Sequence, residues 1–157
     1  MISCVGARFC LLLTASAVIA NYAAPARDKL NGGASAHARE IVITTVPLLT
    51  KELATTYPFL KKDFATGSVL AGKEVYEFMP STITVVEGDT LRLTFINPED
   101  DAHSFVMEDL SVAIPGQSET HATYVASKAG VYDFVCAIPA HLPMMRGQLV
   151  VLHHEGT

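Results

Sequence analysis

Gly130-Val-Tyr-Asp-Phe-Val-Cys136-Ala-Ile-Pro-Ala-His141-Leu-Pro-Met144-Met145-Arg-Gly-Gln-Leu-Val-Val-Leu152 is the stretch on which the reading of this 157-residue chain turns. Both flanks read as β-strands, Gly130–Cys136 with Val, Tyr and Phe and Gly147–Leu152 with Leu and Val. Between them a short segment holds a thiol, an imidazole and two thioethers, with two prolines and no charged side chain from Cys136 to Met145. Soft sulfur beside imidazole selects copper or zinc, and two His, one Cys and a weak Met make the donor set of a copper electron-transfer site. A tight loop presents one imidazole, so the second comes from elsewhere. His103 is the leading candidate. It follows the turn Asn97–Ala102 and opens a strand, where a neighbouring strand can face Cys136.

The alternatives fit the residues less well. A structural zinc site wants four strong ligands, usually several cysteines. A zinc hydrolase wants paired Cys or an H-E-x-x-H helix, and neither is present. A Cys–His nucleophile pair needs a third polar group to orient the base; the loop offers Ala, Ile, Pro and Leu.

Outward from the loop the chain reads as β. Leu91, Leu93 and Phe95 alternate with Arg92 and Thr94, a half-buried strand. Glu40–Val46, Glu74–Met79, Ser81–Val86, His103–Met107 and Thr120–Ala126 bring the total to about eight, with turns such as Glu87-Gly88-Asp89 between them. Short strands at this spacing predict an all-β, antiparallel β-sandwich. Over 48–64 the pattern changes. Leu49, Leu53, Tyr57, Leu60 and Phe64 recur at helical spacing, and Pro58 among them predicts a kink or two short helices.

Met1–Ala26 reads as a signal peptide: Arg8 is its one charge, Phe9–Ala20 is mostly apolar, and Ala23, Ala24 and Ala26 offer cleavage sites. A 12-residue apolar run is short of the about 20 residues a spanning helix needs. Export is therefore expected, periplasmic or otherwise, with no stable membrane span after cleavage. Residues 27–38 read as a flexible leader, 39–152 as the folded domain and 153–157 as a tail. Cys4 and Cys10 leave with the signal, and Cys136 remains as a single thiol in an oxidising compartment. By count alone it can be an inert buried thiol, half of an intermolecular disulfide, or a metal ligand.

Composition sets outer bounds. Half the residues are hydrophobic and 17% charged, which excludes intrinsic disorder. With 16 Asp and Glu against 11 Lys and Arg there is no excess of basic charge for a nucleic-acid backbone.

These residues resemble the cupredoxin family of azurin, plastocyanin and their relatives. Gly130-x-Tyr132-x-Phe134-x-Cys136 is similar to the family's strand leading into the copper loop, and Cys136-x4-His141-x3-Met145 matches the ligand spacing of the azurin loop. Pro80–Asp89 and Leu91–Asn97 resemble the paired strands before the first His. The resemblance covers roughly 72–152 and implies a Greek-key β-sandwich with a helical segment near its N-terminus. It implies one blue, type 1 copper held by His103, Cys136, His141 and Met145, and a single-electron carrier rather than an enzyme. Its partners would be redox proteins such as cytochromes or an oxidoreductase. Other readings are a copper carrier or buffer, and a cupredoxin-like binding module without redox use of copper.

Two departures stand out. Many relatives have Asn after the first His where this chain has Ser104, whose hydroxyl can still bond the loop backbone. The binuclear copper domain of nitrous oxide reductase, which the loop also resembles, needs a second Cys at the place of Ala140. Among the remaining residues, His37, His121, His153 and His154 read as ordinary solvated histidines, and Met79 and Met107 as core or edge fillers. Glu99-Asp100-Asp101 reads as a solvated turn, or as a docking patch for a basic partner. Ile138, Leu142 and Pro143 read as an apolar contact surface around His141.

Overall fold

The computed structural model describes residues 37–154. The signal segment, the leader up to residue 36 and the last three residues lie outside them. The elements are β1 (Ala38–Leu49), α1 (Leu53–Thr56), a 3-10 turn (Pro58–Leu60), α2 (Lys61–Phe64), β2 (Val75–Met79), β3 (Thr82–Val86), β4 (Thr90–Asn97), β5 (His103–Met107), β6 (Leu110–Ile114), β7 (Ser118–Val125), β8 (Gly130–Val135) and β9 (Arg146–Leu152). They form two sheets, in the orders β2-β1-β4-β7 and β3-β9-β8-β5-β6. The fold is the Greek-key β-sandwich that the sequence leads one to expect.

Between the sheets lies one apolar core. Alternation drives it: along β4, Leu91, Leu93 and Phe95 are buried while Arg92 and Ile96 face outward. Phe105 is its centre, with ring centroids 4.9 Å from Phe95, 4.7 Å from Phe134 and 5.6 Å from Phe78. Offset and tilted aromatic pairs of this kind add to the area they bury. Gly147 on β9 passes so close beneath Phe134 and the Ser81 carbonyl that a Cβ there would collide with both.

Four details differ from the sequence expectation. The sandwich is not purely antiparallel: β1 runs parallel to β4, and β3 parallel to β9. Alternation of apolar residues is the same in both directions, so the sequence pattern carries no information on strand polarity. A ninth strand, β6, pairs with β5; its alternation of Leu110, Val112 and Ile114 with Ser111 and Ala113 was the available signal. The helical stretch begins later than Leu48, because Leu48 and Leu49 complete β1, which pairs with β2 down to Leu49–Val75. Pro58 then starts a 3-10 turn between the two four-residue helices. Ala38, the last leader residue, already belongs to β1.

Truncating Phe105 to Ala leaves a cavity at the meeting point of three aromatic rings. Urea denaturation should show a loss of about 3–5 kcal/mol for Phe105→Ala. The same truncation at exposed Phe59 should stay within about 0.5 kcal/mol.

Candidate metal centre

The loop Cys136–Met145 joins β8 to β9, and the antiparallel pair Val135–Arg146 brackets it. The loop closes on itself. The Cys136 amide donates to the Met145 carbonyl at 2.9 Å, the Met145 amide to the His141 carbonyl at 3.0 Å, and the His141 amide to the Ile138 carbonyl at 2.9 Å. β5 lies beside β8, with Val106 opposite Val135. His103 at the start of β5 is thereby carried over the end of β8, next to Cys136.

His103, Cys136 and His141 converge, their ligand atoms all within 4.8 Å of one another. The two imidazole Nδ1 atoms stand 3.2 Å apart, and Cys136 Sγ is 3.5 Å from His141 Nδ1. None of the three residues exceeds 4% exposure. Burial pushes His103 down to about 4, with the neighbouring His141 acting in the same direction and the Asp101 carboxylate opposing. Burial also lowers His141, against the pull of Asp101 and Glu74. Two neutral imidazoles and a thiol facing one point in a dry interior offer lone pairs to a soft cation, and the donor set fits copper.

The surrounding residues hold these donors. Asn97 donates from Nδ2 to the carbonyls of Asp101 (2.7 Å) and Pro115 (3.0 Å), and accepts from the Thr45 hydroxyl at 2.7 Å, which fixes the turn ahead of His103. The Ser104 amide is directed at Cys136 Sγ at 3.5 Å, and the Ala137 amide donates to the Ser104 hydroxyl at 2.9 Å. Ser104 thus bonds the loop backbone from the position after the first His.

Tyr76 on β2 is the residue that sequence reasoning missed. Its ring centroid lies 4.6 Å from that of His103 and 4.7 Å from that of His141, and its hydroxyl donates to the Asp101 carboxylate at 2.5 Å. Burial, then the Asp101 carboxylate, raises the phenol far above its ordinary value. Tyr76 and Phe78 flanking the polar Glu77 were the one sequence-level sign that this ring points inward; in the structure both are buried.

Other residues fall as follows. Met145 is fully buried in the core cluster that contains Cys136, whereas Met144 is exposed. His121 is exposed on β7, between Thr94 and Glu119, and His153 is exposed beside Glu87. Met107 is in the core, and Met79 is half exposed at the end of β2. Asp101 serves as partner to Tyr76 rather than only as part of a solvated turn. Among the described residues, the His–Cys–His group is the one cluster of metal-ligating side chains.

The buried imidazoles carry a pH signature in the metal-free protein. An unfolded His takes up its proton near 6.5, whereas folded His103 does so only near 4. Between these values the unfolded chain binds more protons, so stability is lost as pH falls from about 6.5 to about 4. Urea midpoints of the copper-free protein should fall across that window, and His103→Gln should flatten the slope. A flat wild-type profile would show that the imidazole is not held neutral.

Comparison with known proteins bears on the family and the fold. Residues 61–151 match the family profile of the Cupredoxin-like domain. Auracyanin-A of Chloroflexus aurantiacus is 42% identical over 36 residues, 23% of this chain and 22% of that protein. The chain therefore spans about a fifth of the length of the curated relative it matches. Among solved structures, two show the shared fold. A copper nitrite reductase from Nitrosomonas europaea aligns with a TM-score of 0.53 and 16% identity, over 75% of this chain and 42% of that one. A multi-copper oxidase from Pseudomonas thermotolerans aligns with a TM-score of 0.51 and 16% identity, over 77% and 31%. Because the profile match takes in more than half of the sequence, including the loop of Cys136 and His141, the protein belongs to the cupredoxin-like family.

Proposed function

We propose that this protein is an exported copper-binding electron carrier. His103, Cys136 and His141 are its principal ligands, through the two Nδ1 atoms and Sγ, and the Met145 thioether is a weaker fourth. A bound copper supplies one-electron chemistry by alternating between Cu(II) and Cu(I). The observation that carries the reading is the convergence of the three buried donors on one point. The chain's own residues do the rest. The β5–β8 pairing and the Asn97, Ser104 and Tyr76 contacts hold the donors in place, so a change of charge at the centre requires little movement. Phe105, Phe134 and the loop's apolar residues exclude water. The reading involves no substrate and no covalent step, so the protein acts as a carrier and not by itself as an enzyme.

Electrons pass through the loop end of the sandwich. His141 is only 4% exposed, so its covering residues make the contact, with Pro139, Pro143 and Met144 exposed and Leu142 half-buried. The partners are redox proteins, cytochromes or an oxidoreductase among them. Enclosure of every donor favours retention of the ion over hand-over to another protein.

Copper loading followed by optical and EPR spectroscopy tests this directly. The wild type should show intense visible absorption from thiolate-to-Cu(II) charge transfer, and Cys136→Ser should abolish it. A band that survives the substitution would overturn the ligand assignment, and a colourless loaded wild type would sink the carrier reading. Since an amide oxygen is harder than a thioether and favours Cu(II), Met145→Gln should lower the reduction potential in voltammetry. Met144→Gln, on the exposed side, should leave the potential nearly unchanged.

A further inference from the structure

The segment Thr50–Lys73 differs in charge from the domain that carries it. It holds four of the chain's six lysines, Lys51, Lys61, Lys62 and Lys73, against two acids, Glu52 and Asp63, a net charge of +2. Elsewhere among residues 37–154, four basic side chains (Arg39, Arg92, Lys128, Arg146) face twelve acidic ones, a net of −8. The segment is a folded lobe, closed by bonds from the Leu70 amide to the Asp63 carbonyl at 2.9 Å and from the Ser68 hydroxyl to the Lys62 carbonyl at 2.5 Å. Leu70 and Ala54 are buried. Yet the lobe leaves three large apolar side chains in water: Tyr57 is 51% exposed, Phe59 69% and Val69 72%, and the first two rings stand 6.4 Å apart. Lys61 and Lys62 are exposed and form no ion pair with any described residue. Exposed aromatics beside uncompensated cations mark an interaction surface.

The root of the lobe rests on the metal loop. Lys73 Nζ donates to the Pro139 carbonyl at 2.7 Å, and the Glu74 amide to the Ala140 carbonyl at 3.0 Å. Lys51, at the other end of the lobe, donates its amide to Glu74 Oε1 at 3.2 Å. The foot of the lobe thus adjoins the loop that carries His141.

We infer that this basic, aromatic lobe is the docking surface for an acidic redox protein, an inference that takes its partner's redox character from the electron-carrier reading. Even with Glu74, whose carboxylate lies 3.7 Å from Lys51 Nζ, the lobe keeps a net +1 against −7 for the rest of residues 37–154, and this asymmetry orients the molecule in the field of an acidic patch with the lobe foremost. The surface is small and mixed in character, which suits a brief encounter. A protein presents its negative charge over a limited patch that the lobe alone can face. An extended anionic bilayer also repels the acidic body, so the charge distribution favours a protein.

The test uses cytochrome c in two forms, native and basic, or succinylated and acidic. The 15N-labelled, copper-free protein is titrated with each and followed by NMR. Succinylated cytochrome c should shift resonances of Tyr57–Lys73 and of the 138–144 loop, and the shifts should vanish at high salt. Lys61→Glu/Lys62→Glu should weaken binding about tenfold and Phe59→Ser several-fold, whereas Lys128→Glu, outside the lobe, should leave it unchanged. Shifts located elsewhere, or binding indifferent to the double reversal, would overturn the inference. So would co-sedimentation with phosphatidylserine vesicles that the double reversal abolishes while cytochrome binding persists, since the lobe would then be a membrane contact. Binding is read without copper, so it does not depend on the carrier reading. Docking as predicted with no electron transfer from the copper-loaded protein to the succinylated cytochrome would keep the surface, lose the redox character of the partner and count against the carrier reading instead.

Discussion

Two imidazole nitrogens 3.2 Å apart, with a thiol sulfur 3.5 Å from one of them, form a cluster that a folded chain assembles only at a cost. Each group gives up water, and in the absence of a metal the three can satisfy one another only through a hydrogen bond between ring nitrogens or with the thiol. The rest of the molecule can be understood as what holds that cluster together. The strand pairing of β5 with β8 sets the distance between His103 and Cys136. The self-closed loop sets the distance between Cys136 and His141. Asn97, itself 1% exposed, joins β1, the turn before His103 and the turn between β6 and β7 through one amide side chain.

Metal-binding histidines are usually oriented by a hydrogen bond to the ring nitrogen that does not ligate. His103 Nε2 is buried and has no such partner among the described residues. Its ring is oriented by packing instead: Tyr76 meets it edge-on at an interplanar angle of 67°, and the same ring packs against His141. One residue of the β1–β2 hairpin thus positions both imidazoles. Its hydroxyl bond to Asp101 ties that ring to the turn just before His103. This makes the sandwich edge part of the centre rather than a wall around it.

The sequence made the metal loop and most of the strands legible because both rest on local pattern. Cys136, His141 and Met145 fall within ten residues, and alternation along β4 or β9 is visible by eye. His103 was reachable because it opens a strand after an unmistakable turn. What was not legible depends on distant placement. Strand polarity leaves no trace in side-chain period, so the parallel pairs β1–β4 and β3–β9 were invisible. Tyr76 sits 27 residues from His103 and 65 from His141, and nothing local distinguishes it from a core tyrosine. The 48–64 segment carried a helical period, but its attachment was a question for tertiary contacts, of which the bond from the Lys51 amide to Glu74 at the foot of β2 is one.

Topologically the lobe is nothing more than a hairpin connection. Leu49 and Val75 are register partners in the β1–β2 ladder, so the chain leaves the sheet and returns to the same place. Loop-closure entropy rises only slowly with length, so such a connection can lengthen or shorten at little expense to the fold. A lineage carrying this architecture can exchange one connection for another by a single insertion or deletion, with β2 still delivering Tyr76 to the imidazoles. The proposed copper centre and the proposed docking surface are thereby separable units of inheritance, joined at two backbone hydrogen-bond acceptors in the metal loop.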